Sequence, residues 1–113
     1  MARAYEFESG NRMIVLNDEH YGWVLLEENG WLYLDVLCSH SAVDYMFLLR
    51  LDEKEVELWR VRGPAYLDDL AYRIHYSAPG VQSSRSLYKA RSLVMTAERD
   101  RASEAIRRHR LAG

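Results

Sequence analysis

Apolar residues fill two runs, Trp23–Leu26 and Trp31–Cys38, on either side of the polar sequence Glu27-Glu28-Asn29-Gly30. Asn29 and Gly30 are the pair that most readily takes the positive φ of a type I′ turn, which predicts a tight β-hairpin. Its register places Glu28 opposite Trp31, Leu26 opposite Tyr33 and Val24 opposite Asp35 on one face. Trp23, Leu25, Leu32, Leu34 and Val36 lie on the other, a continuous apolar surface that reads as core. Upstream, "YEFES", "GN" and "RMIVLN" predict two short strands around a turn.

After the polar connector "SHSAVD", the runs "YMFLLRL" and "VELWRVR" flank "DEKE" and predict a second hairpin. Pairing Leu51 with Val56 sets Arg50 opposite Glu57, Leu48 opposite Trp59 and Met46 opposite Val61. Both faces of such a sheet are apolar and both need cover.

The period then changes from two to 3.6. In "GPAYLDDLAYRIHYSAPG", Leu67, Leu70, Ala71 and Ile74 form one helical stripe, with Pro64 suited to the first turn and Pro79-Gly80 to the stop. Leu87, Ala90, Val94 and Ala97 continue a helical spacing and predict a long helix over 84–110. The alternative is a short edge strand "SLVMT" followed by a helix that Thr96 caps. The expected fold is α+β: about six mostly antiparallel strands in a meander, flat or curled into a half-barrel, then two C-terminal helices packed on one face. Val24, Leu26, Trp31, Tyr33, Met46, Leu48 and Trp59 would then lie on the outer face, hidden by barrel closure or by a partner.

With 113 residues, 49% of them hydrophobic and 28% charged, the chain suits one globular domain over 1–113. No run approaches the roughly 20 apolar residues that span a bilayer, and the start lacks the apolar core of a signal peptide. A lone cysteine, Cys38, cannot form an internal disulfide. These features point to a cytoplasmic protein, and 13 arginines against two lysines suggest a GC-rich bacterial source.

Charge is polarised along the chain. Residues 85–113 hold eight basic and three acidic residues, and residues 1–84 hold seven basic and fourteen acidic. The arginine-rich end can complement a helix dipole, with Glu104 paired to Arg108 at i+4. Otherwise it can dock on acidic strands or an acidic partner. Nucleic acid is disfavoured, because the acidic body repels a phosphate backbone and the pI is about 6.1.

Chemistry-bearing motifs are sparse. Cys38 and His40 share a strand face, but a structural zinc needs about four ligands in paired spacing, so no metal and no cofactor is expected. Asp68, Tyr72, His75 and Tyr76 share a helix flank that could do acid–base work in a small RNA-processing enzyme, or simply border a core. Glycine-rich phosphate loops, GxSxG, CxxC and HExxH are absent. The reading is therefore a small protein-binding module with no chemistry of its own: an inhibitor of the immunity type that blocks a basic partner such as a toxin nuclease. Trp31, Tyr33 and Trp59 would anchor the partner, with Asp35, Asp44 and Glu57 attracting its charge. The alternatives are a homodimeric ligand-binding or regulatory protein and the RNA-processing enzyme.

Overall fold

A computed structural model describes residues 12–19, 22–40 and 43–112. Four strands, β1 (Ile14–Asp18), β2 (Trp23–Glu28), β3 (Trp31–His40) and β4 (Val43–Arg50), form one antiparallel sheet in the order β1-β2-β3-β4. The strand expected at 5–9 lies outside the described residues. The β2–β3 hairpin has the predicted register, including Glu28 with Trp31, Leu26 with Tyr33 and Val24 with Asp35. Asn29 at φ 55° and Gly30 at φ 88° supply the two positive dihedrals that the turn demands.

The second predicted hairpin does not exist. Residues Glu53–Arg62 form helix α1 instead, so Glu57 and Trp59 lie on a helix and the pairing of Leu51 with Val56 is not made. The cause is a capping box that "DEKE" encodes. The Asp52 carboxylate accepts from the Glu55 N–H, and the Glu55 side chain accepts from the Asp52 N–H, both at 2.8 Å. Two otherwise orphaned donors are satisfied at once, and the chain turns away from the sheet. Gly63, at φ 68°, ends α1 with its N–H on the Trp59 carbonyl and leads into α2 (Pro64–Ser77).

The long helix expected over 84–110 is also shorter, with α3 running Ala97–Ala112. Before it, short polar side chains bond to backbone and to one another: the Ser84 hydroxyl donates to the Ser77 carbonyl, and the Ser77 and Ser86 hydroxyls pair. Such bonds compete with helix formation. Of the expected stripe, Leu87, Ala90 and Ala97 are exposed, and only Val94 packs against the first core. "SLVMT" is not a strand, although the Leu93 N–H donates to the Leu48 carbonyl on the edge of β4. The Arg91 guanidinium covers the Arg50 carbonyl on the same edge, so two edge acceptors are taken at the Arg50 end of β4.

Among the described residues the sheet stays open with β1 and β4 as its edges; it does not close into a barrel or half-barrel. Nor do the helices share one face. Trp23, Leu25, Leu34, Val36, Phe47 and Leu49 on the first face pack against Tyr66, Leu67, Leu70 and Ile74 of α2, with α1 alongside. Val24, Leu26, Tyr33 and Leu48 on the second face pack with Met13 against Ala102, Ala105 and Ile106 of α3. The result is an α+β architecture with a four-stranded sheet between two helical layers. No helix among the described residues is long and apolar enough to cross a membrane.

Candidate functional site

The cover that α3 provides and the helix at 53–62 redistribute the six residues expected to face a partner. Tyr33 is buried in the second core, and its hydroxyl is held above its ordinary pKa, chiefly by burial and then by Glu28. Asp35 is 1% exposed and is gripped by Arg99 of α3 through two bonds of 2.7 and 2.8 Å. Trp59 is partly buried against the first core. Asp44 is exposed at the start of β4, where its carboxylate accepts from the Ser39 hydroxyl. Only Trp31 and Glu57 meet, at the other end of the sheet.

Trp31 begins β3 and is 53% exposed. The Arg50 guanidinium lies over its ring, 4.2 Å from the centroid, which stiffens the indole without hiding it. Two concavities flank it, of about 510 and 610 Å³. One runs past Leu93 to Glu98 of α3, the other past Leu51 and Val56 to Glu57 of α1. Glu53 lines both. Hence the capping box, which drew residues 53–62 out of the sheet, also gives Trp31 a second wall.

Much of the acidic body is neutralised within the chain. Besides Asp35–Arg99, Arg101 grips Glu28 at 2.7 Å and Arg110 grips Asp18 at 2.8 Å. Arg91 holds Glu55 at 2.6 Å, a charge-assisted bond that raises the guanidinium pKa despite partial burial. Arg99, Arg101 and Arg110 thus dock on the protein's own strands, one of the three roles open to the arginine-rich end from charge alone. Glu53, Glu57 and Glu98, by contrast, have no ion-pair partner among the described residues, and all three lie around Trp31.

A third concavity, of about 520 Å³, opens at the opposite end of β3 between α2 and the start of β2. Its lining includes Glu19, Trp23, Ser39, Asp68, Tyr72 and His75. The Trp23 indole N–H donates to Asp68 Oδ1 at 2.8 Å, and the Ser39 N–H donates to His75 Nδ1 at 3.3 Å. His75 stacks on His40, whose Nε2 is buried without a hydrogen-bond partner among the described residues. Cys38 is fully buried, and desolvation pushes its thiol up to about 11, the reverse of what a nucleophile needs. No cluster of three potential metal ligands occurs among the described residues. This cleft gathers Asp68, Tyr72 and His75 from the helix flank noted in the sequence, yet its described lining holds no arginine or lysine to meet a phosphate.

Comparison with protein-family models, with curated proteins and with solved structures finds no match to this chain.

Nothing in the local pattern marked Trp31 as the exposed aromatic and Tyr33 as the buried one, since both occupy the same face of β3. Their fates differ because α3 covers Tyr33 and leaves Trp31 half open beyond Glu98. The Asp52-x-x-Glu55 spacing was the available signal for the wall beside it.

Proposed function

We propose that the protein is a small binding module of the inhibitor or immunity type, which holds a basic protein partner against the Trp31 end of its sheet. The observation that carries this reading is the half-exposed Trp31 between two concavities, rimmed by Glu53, Glu57 and Glu98, none of which makes an ion pair among the described residues, although Arg50, Lys54, Arg60 and Arg91 share the lining. An aromatic anchor enclosed by polar residues is the arrangement that concentrates binding energy at protein interfaces. The carboxylates add attraction for basic residues and raise the rate of encounter more than the final affinity. Tyr33 and Asp35 serve in this scheme as supports beneath α3, and Trp59 packs behind the surface.

The test is affinity capture from the host lysate on the immobilised protein, with Trp31→Ala as the control. The expected result is a basic protein retained by the wild type, weakened more than about tenfold by Trp31→Ala and released as salt rises. Equal retention by both would remove Trp31 from the function. So would a salt-resistant dimer, seen by light scattering as twice the 13.2 kDa chain mass, if its formation buried Trp31.

A further inference from the structure

We infer that the cleft between α2 and the start of β2 is a binding site for a primary ammonium group carried on an apolar stem. It lies at the far end of β3 from Trp31 and does not depend on the function proposed for that end.

The described lining carries two carboxylates, Glu19 and Asp68, and no lysine or arginine to neutralise them. Asp68 is oriented: the Trp23 indole N–H fixes Oδ1, and Oδ2 has no partner among the described residues. One fixed carboxylate with one open oxygen suits the point charge of an ammonium. A guanidinium, which binds best across both oxygens, would have to displace the indole. His75 turns its Nδ1 to the Ser39 N–H, 3.3 Å away, and so does not pair with either carboxylate through that atom.

Aromatic faces supply the second element. Tyr72 lines the cleft and stacks on Tyr76, with ring centroids 5.9 Å apart and the planes 16° from parallel. The two residues are 65% and 77% exposed, an unusual placement for paired tyrosines on a helix whose buried stripe is complete without them. A cation over such a ring is held by the π-face, and an attached apolar stem can lie along the exposed Tyr72 ring, since Val36 and Ala71 in the lining are themselves buried. The volume of about 520 Å³ falls within the usual range of small-ligand sites.

The Trp23 indole N–H, bonded to Asp68, is a built-in NMR reporter. Titration of the full chain at neutral pH with phenethylamine, and separately with Nα-acetyl-lysine methylamide, should shift that resonance saturably. Asp68→Asn keeps the Oδ1 acceptor for Trp23 and should weaken binding about tenfold, with a smaller loss for Glu19→Gln. Tighter binding of phenethylamine would identify a free amine as the natural occupant, and tighter binding of the lysine derivative a partner's side chain. The inference is overturned by the absence of a saturable shift with either amine, or by equal binding of neutral 2-phenylethanol. Unchanged affinity in Asp68→Asn with an intact Trp23 signal would also overturn it. Trp31→Ala should bind both amines as the wild type does, which separates failure here from failure at the other end.

Discussion

The two faces of the sheet are covered by different physics. On the first, α2 brings Tyr66, Leu67, Leu70 and Ile74, all buried, against a surface of Trp, Leu, Val and Phe. On the second, α3 brings only Ala102, Ala105 and Ile106, against Met13, Val24, Leu26, Tyr33 and Leu48. Two alanines and one isoleucine remove little apolar area from water compared with four large side chains. The shortfall is met by charge. Arg99, Arg101 and Arg110 reach from α3 to Asp35, Glu28 and Asp18, each through two hydrogen bonds. One helix is held by surface removed from water, and the other by paired charges that also fix its register.

The contrast is sharpest where each cover is cut at its centre. Leu70→Ala, in the first core, should cost about 3 kcal/mol in chemical unfolding, and this cost should change little with salt. Arg99→Ala leaves the Asp35 carboxylate buried without its partner and should cost a similar ~3 kcal/mol. Replacing both Arg99 and Asp35 by leucine should recover most of that loss, because a missing partner is worse than a missing pair. If the double variant were as unstable as the single one, the loss would belong to the missing pair itself and not to a stranded Asp35 carboxylate.

Alkaline titration separates the faces by a smaller effect. Burial favours the neutral Cys38 thiol, so the fold retains a proton that the unfolded chain releases near 9.0. The raised folded pKa means that this contribution is complete below pH 9.0 and is lost as pH rises toward about 11. It amounts to no more than about 3 kcal/mol. Cys38→Ala should flatten that part of the pH–stability curve, leaving the fall due to Tyr33 and Tyr66, whose hydroxyls are also raised mainly by burial. An unchanged curve would show that water reaches the thiol.

The smallest expected effect is at Arg110, whose side chain is substantially exposed as it grips Asp18. Arg110→Ala should cost about 0.5–1 kcal/mol at low ionic strength, and less in 1 M salt, where the Debye length is about 3 Å. A larger, salt-independent loss would make this pair part of the core and blur the difference between the faces.

Some of this arrangement was legible along the chain. Asn29-Gly30 determined the β2–β3 register, because a two-residue turn with two positive φ values leaves one pairing that puts each apolar set on one face. Leu67, Leu70, Ala71 and Ile74 determined the buried stripe of α2 for the same kind of reason, a local period with legible ends. The acid–base asymmetry between the two parts of the chain was also plain, though not its use. At 53–62 the local signals conflicted: apolar residues spaced as in a strand, and a capping box that starts a helix. Two satisfied backbone donors and a chain already turning at Asp52 outweighed the spacing.

The sequence by itself thus determined a hairpin, a helix, two apolar sheet faces and an uneven distribution of charge. Only the tertiary structure decided that α3 crosses to the second face, that its arginines neutralise Asp18, Glu28 and Asp35, and that Trp31 remains open while Tyr33 does not. Turns and periodicity are set by neighbours a few residues apart, so they can be read locally. The pairing of Arg99 with Asp35 joins residues 64 apart, and its geometry exists only once a sheet and a helix have been brought together.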